Sequence, residues 1–184
     1  MRLLLIVAAV CFLCAGPASA QSADSNAYTA DAQRQYQYIQ GLIVKAAEKV
    51  GADLYSFKPT PAVRSLGAVL GHIADANMLL CGVASGKPTD FDKIMKDPSS
   101  VQVHEKKTDK TKLIAALKES SAYCDAIFTQ LNDTTGRDQV AWFGGQKMTK
   151  LMMLAMSSSH AWEHYGNLVT YMRLKDIVPP SSEQ

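Results

Sequence analysis

The stretch TPAVRSLGAVLGHIADANMLLCGVASG, residues 60–86, decides how this chain folds. Val63, Leu66, Val69, Leu70, Ile73, Leu80 and Val83 recur three and four residues apart, the period of a helix with one buried face. Thr60 can cap its start, and Pro61 suits the first helical position, where its missing N–H costs nothing. Gly86 followed by Lys87-Pro88 closes it. Within the stretch, His72 shares an apolar stripe with Ala68, Val69, Ala76, Leu79 and Val83, so its ring is expected to face inward.

Three further helices flank this one. Upstream, from about Tyr28 to Val50, Ile39, Leu42, Ile43, Ala46 and Val50 carry the same period, and Gly51 stops it. Downstream, Thr108 can cap a third helix built on Leu113, Ile114, Leu117, Cys124, Ile127, Phe128 and Leu131. A fourth runs from about Thr149 to Leu174 and is ended by Val178-Pro179-Pro180. No segment alternates like a half-buried strand, so the expected class is all-α, a four-helix bundle with one core. Residues 86–108 read as one long polar connection, and residues 132–146 as another that holds Trp142-Phe143-Gly144-Gly145. The aromatic pair there fits either a lid or, more simply, an apolar plug over the bundle end.

The short first link makes helices one and two antiparallel neighbours. The second link, about 22 residues long, can reach roughly 70 Å, twice the length of a helix. It can therefore run the whole bundle and return helix three parallel to helix two, giving up-down-down-up order with a long crossover between helices 2 and 3. Cys81 and Cys124 test that choice. In parallel helices they sit within about 3 Å of the same height, but in antiparallel ones about 15 Å apart, beyond bonding reach. A Cys81–Cys124 disulfide and a parallel crossover thus support each other, with two buried thiols as the plain alternative.

The disulfide is chemically reasonable because the N-terminus reads as an export signal. Arg2 supplies the positive start, Leu3 to Leu13 the apolar stretch, and Ala18-Ser19-Ala20 a cleavage site before Gln21. The apolar stretch, at about 11 residues, is too short to span a bilayer. Residues 1–20 are therefore expected to be a signal peptide and 21–184 the bundle domain, periplasmic or secreted, where disulfides persist. A formal net charge of +2 in 184 residues, with no basic run or basic amphipathic helix, gives no reason to expect nucleic acid or, after cleavage, a membrane as partner. Two-fold pairing suits a bundle of this size, though no surface pattern marks it.

The fourth helix carries His160 and His164, four residues apart and one turn above each other on one face, a spacing at which two imidazoles can share an ion. Counted from the helix ends, both lie at the bundle waist, and so does His72. Three inward histidines at one level each need a polar partner, and one divalent cation would satisfy all three. The competing reading is three core histidines bonded to neighbours. Asn167 and Tyr171 continue the stripe of His160 and His164 and are candidates for substrate contact, or for plain core hydrogen bonds. Glu163 and Asp75 sit one ridge aside; they are candidates for orienting a ligand or moving a proton, with solvated surface carboxylates the simpler reading. His104, in the polar connection, reads as a surface residue.

Three pieces of the sequence resemble the DinB/YfiT-like superfamily of small four-helix proteins. They are Tyr55-Ser56-Phe57-Lys58-Pro59-Thr60-Pro61, Leu70-Gly71-His72-Ile73-Ala74-Asp75-Ala76-Asn77, and His160-Ala161-Trp162-Glu163-His164-Tyr165-Gly166-Asn167. The last leads through Tyr171-Met172-Arg173 to Val178-Pro179-Pro180-Ser181. The resemblance implies up-down-down-up order and one metal held by His72, His160 and His164. It also implies relatives among thiol-cofactor transferases and a mycothiol-using isomerase. An export signal departs from those cytosolic enzymes, since low-molecular-weight thiols are scarce outside the cytoplasm. The expectation is a metal-dependent hydrolase or transferase acting on a small molecule, against a non-catalytic metal-binding or interaction module. A site of three imidazoles accepts zinc, nickel, iron or copper, so the ion is not named by the sequence.

Overall fold

The computed structural model describes residues 26–183; the expected signal peptide lies outside them. Four long helices form the bundle: α1 (Ala27–Lys49), α2 (Leu66–Ala84), α4 (Lys110–Gln130) and α5 (Lys150–Arg173). A short helix, α3 (Phe91–Lys96), lies in the crossover between α2 and α4.

Local chemistry sets the boundaries. The Ser65 hydroxyl accepts from Ala68 N–H at the start of α2, Asp109 from Lys112 N–H at α4, and Thr149 from Met152 N–H at α5. Thr149 is where the fourth helix was expected to begin. The other two caps correct the sequence reading, which placed them at Thr60 and Thr108. Residues 60–65 form turns instead of helix, because Leu66 N–H donates back to the Phe57 carbonyl and folds the intervening chain outward. The crossover is not structureless either. Asp90 caps α3 by accepting from Lys93 N–H, and Pro98–Val101 forms a 3₁₀ turn.

Side-chain pairs give the helix directions. Gly67 lies beside Leu113 near the starts of α2 and α4, and Cys81 is bonded to Cys124 toward their ends, so these two helices are parallel. Gln33 and Gln37 donate to Asp125, while Lys110 reaches the carbonyls of Glu48 and Val50, so α1 opposes α4. Ser157 meets Asn77 and Tyr171 meets Arg64, so α5 opposes α2. The order is up-down-down-up. Each of α1 and α2 packs chiefly on α4 and α5. Helices α1 and α2 are therefore antiparallel but diagonal, which corrects their expected neighbouring placement.

Four polar side chains meet on the bundle axis. Asn77 of α2 exchanges hydrogen bonds with Gln40 of α1, donates to Ser120 of α4 and accepts from Ser157 of α5 at 2.8 Å. Asn77, Ser120 and Ser157 each fall in their helices where one apolar cluster gives way to the next, and Gln40 lies one residue past that point in α1. The first cluster includes Ile43, Leu70, Leu117 and Leu168; the second includes Tyr36, Leu80, Phe128 and Leu154. A satisfied buried polar group of this kind penalises any slip in helix register, because a slip strands its donors away from water.

One departure from all-helical structure occurs before α5. Strands β1 (Gln139–Ala141) and β2 (Lys147–Thr149) pair antiparallel, with Gly144 and Gly145 at φ of 66° and 73° in the turn. Three residues per strand are too few for alternation to register in the sequence. The hairpin presses Trp142 and Phe143 onto Phe91 of α3, with ring centroids 5.5 and 4.6 Å apart.

The Cα atoms of Cys81 and Cys124 are 5.3 Å apart across the disulfide, which closes a loop over a separation of 43 residues. By loop-closure entropy, the double variant Cys81→Ser/Cys124→Ser is expected to lose about 4 kcal/mol of stability in chemical denaturation while keeping its far-UV helical signal. A loss well under 1 kcal/mol would contradict that account.

Candidate metal centre

Helix α5 places His160 and His164 one turn apart, and antiparallel α2 brings His72 to the same height. His72 Nε2 lies 3.1 Å from His160 Nε2, and His164 Nε2 lies 3.0 Å from the same atom. All three rings offer a nitrogen within 4.8 Å of the others. Ligands at roughly 2.05 Å from one ion and 90 to 109° apart are separated by roughly 2.9 to 3.3 Å, so the two contacts of His160 suit a cation shared with His72 and His164.

The second nitrogen of each ring decides what the first can do. His72 Nδ1 lies 3.1 Å from Glu105 Oε2, and a carboxylate only accepts, so the proton sits on Nδ1 and Nε2 keeps its lone pair. His160 must then carry a proton on Nε2 to bond His72, and so has no lone pair to offer His164. Linear hydrogen bonds cannot satisfy both contacts, whereas one cation among the three Nε2 atoms satisfies all of them. Asn167 lies 3.3 Å from His164 Nδ1 through its amide, and with the amide oxygen turned inward it accepts the Nδ1 proton and frees Nε2.

The rings are uncharged. Burial, and then the like charge of neighbouring imidazoles, holds His160 down to about 3. Burial first, then His72, holds His164 down to about 4. His72 is lowered by burial and by Arg64, against the opposing pull of Glu105.

Glu105 is the functional residue that sequence reasoning missed, and Asp75 is what holds it there. Asp75 is only 6% exposed. Its carboxylate accepts the backbone N–H groups of His104 and Glu105 at 2.9 and 3.0 Å, and His104 Nδ1 at 2.7 Å. This corrects two expectations: Asp75 is not a surface carboxylate, and His104 is not a free surface residue. The crossover lies so close to α2 here that a Cβ on Gly71 would collide with the His104 carbonyl. Glu105 also accepts from Arg64 Nε at 2.6 Å, and the Tyr171 hydroxyl donates to the Arg64 carbonyl at 2.9 Å. Tyr171 thus fixes Arg64, its ring buried and its hydroxyl pushed up by burial. Glu163 is exposed and, with His164 and Asn167, lines a cleft of about 710 Å³.

The sequence profile of the DinB superfamily matches residues 35–168. The chain belongs to the DinB superfamily. Crystal structures of two DinB-like proteins share the fold. The one from Bacillus cereus is 17% identical with a TM-score of 0.64, covering 80% of this chain and 92% of that one. The one from Bacillus subtilis is 22% identical with a TM-score of 0.60, covering 79% and 92%. A mycothiol-dependent maleylpyruvate isomerase is 12% identical with a TM-score of 0.62, covering 78% of this chain and 65% of that one. A comparison with curated proteins found no match. The DinB fold accounts for the bundle; Asp75, Glu105 and the three rings are read from this chain's own geometry.

Glu105→Ala is expected to weaken divalent-metal affinity 10- to 100-fold, by freeing the His72 tautomer, while Glu163→Ala leaves it unchanged. Competition with a chelating dye reads both. Protons compete with metal only below a ligand's own pKa, and lowered values move that competition to more acidic pH than the free imidazole's 6.5. Affinity is therefore expected to fall far less between pH 7.5 and 5.5 than the roughly tenfold per ring that free imidazoles would give; a steep fall beginning near pH 6.5 would show rings that titrate like exposed histidines.

Proposed function

We propose that this DinB protein is exported, holds one divalent metal ion through His72, His160 and His164, and acts on a small molecule as a metal-dependent hydrolase or transferase. The observation that carries the reading is the His72–His160–His164 contact set, which no assignment of linear hydrogen bonds satisfies and one cation does. When bound, an ion held by three neutral ligands keeps its full charge and an open position, and supplies Lewis acidity and a water activated near neutral pH.

The chain's own residues do the rest. Glu105 holds the His72 tautomer that presents Nε2, and Asp75 holds Glu105. The carboxylate of Glu163, at the cleft wall, is placed to take or return a proton, and Asn167 beside His164 is placed to hold a polar group. His72 keeps 22% of its side chain exposed, so the site is reachable from solvent rather than sealed as a structural pin.

Export is supported by the signal-like segment at residues 1–20 and by the disulfide, which belongs to an oxidising compartment. That setting favours attack by water over transfer to a low-molecular-weight thiol, although a structural relative is a mycothiol-dependent isomerase.

Purified mature protein is expected to take up one equivalent of cobalt and to show visible bands that shift on addition of azide, the sign of an exchangeable position. His160→Ala is expected to abolish uptake. Stoichiometric cobalt with bands indifferent to azide would replace catalysis by a closed structural site; no uptake would end the metal reading. The intact mass of the exported chain, expected to begin at Gln21, checks the compartment.

A further inference from the structure

Two cavities of opposite character adjoin at the three imidazoles. The first, about 710 Å³, is polar, with Lys58, Arg64, Glu105, Lys106 and Asn167 around His164. The second, about 410 Å³, is walled by Leu79, Leu80, Val101, Trp142 and Met156, beside His72 and His160. Arg64 and Gln102 belong to both walls, so the spaces meet across those two side chains. Both volumes lie in the range of small-molecule sites, roughly 300–1,000 Å³.

Charge selects what enters the polar side. The three rings add no charge, and Arg64 and Glu105 neutralise one another. Lys58 and Lys106 outnumber the remaining carboxylate on this wall, Glu163, so a divalent ion at the rings would leave the half-buried space with a net positive charge. Such a space draws an anion. Arg64 gives only Nε to Glu105, and a guanidinium carries further N–H donors suited to a carboxylate. Beyond the shared Arg64 and Gln102, the apolar side has little for a second charge: the rest of its wall beside the rings is mainly aliphatic, aromatic and thioether, and its one carboxylate, Asp75, is taken up by the crossover.

We propose that the substrate is a small amphipathic carboxylate, its charged head against Arg64 in the polar cavity and its hydrocarbon chain under Trp142 and Val101 in the apolar one. The segment between head and chain then passes the three Nε2 atoms, where the chemistry of the preceding section takes place; the inference rests on that reading. Unlike a metal site alone, it explains why the hairpin and the crossover both wall the space beside His160, and why Arg64 is fixed at both its carbonyl and its guanidinium.

Calorimetric titration of cobalt-loaded mature protein with octanoate, acetate and 1-octanol tests it. Octanoate is expected to bind at least tenfold more tightly than either control. Arg64→Gln is expected to remove the advantage over 1-octanol, and Val101→Asp or Met156→Gln the advantage over acetate, each variant still taking up one cobalt. Cobalt uptake is measured before any octanoate is added, so the two readings fail separately. No cobalt uptake overturns both. Normal uptake with octanoate no tighter than acetate, or with octanoate binding unchanged by Arg64→Gln, overturns this inference alone.

Discussion

The carboxylate of Asp75 is the interaction on which the site depends. Burying a charge is costly unless it is well bonded, and Asp75 meets that cost with three donors from two consecutive residues of the crossover. The bonds pin a long polar connection onto α2 one turn from His72. Gly71 permits the approach, since any side chain there would push the crossover away. From that anchor follow the reach of Glu105 to His72 and to Arg64, the height of Gln102 and Val101, and the existence of walls on both sides of the rings. Without it, three histidines would still face one another, but the His72 tautomer would be unfixed and the crossover wall beside the rings would be lost.

A second constraint works at the level of the bundle. The axial group of Gln40, Asn77, Ser120 and Ser157 ties all four helices at one level and separates two apolar clusters. Apolar packing alone tolerates small shifts along a helix, whereas a ring of hydrogen bonds between helices does not. His72 lies five residues from Asn77, and His160 three from Ser157, so register at the axis is register at the rings.

Much of this was legible in the sequence, and the reasons are physical. Helical periodicity reports burial directly, so all four helices, the height of the histidines and the parallel crossover could be read from spacing. What periodicity cannot report is which loop residue folds back onto which helix. Glu105 and His104 sit in a segment with no period, and Asp75 reads as a surface carboxylate when only its own helix is considered. One signal was present: Gly71, beside His72 and on the face of Gly67, Ala68 and Ala74, belongs to a run of small residues that permits a close backbone approach. The start of α2 was misplaced because Thr60-Pro61 and Ser65 are both competent caps, and only the turn closed by Leu66 and Phe57 selects between them. The hairpin escaped notice because its strands are too short to alternate.

The bond between Cys81 and Cys124 also has a topological consequence. It makes a covalent ring of the end of α2, the whole crossover and most of α4. The crossover is the longest connection between bundle helices, and long connections are where peptidases cut first. A single cut anywhere within it opens the ring without releasing a fragment, and both severed halves stay tethered to helices that remain packed. The segment that walls the site is therefore the one whose scission the molecule is best built to survive in one piece.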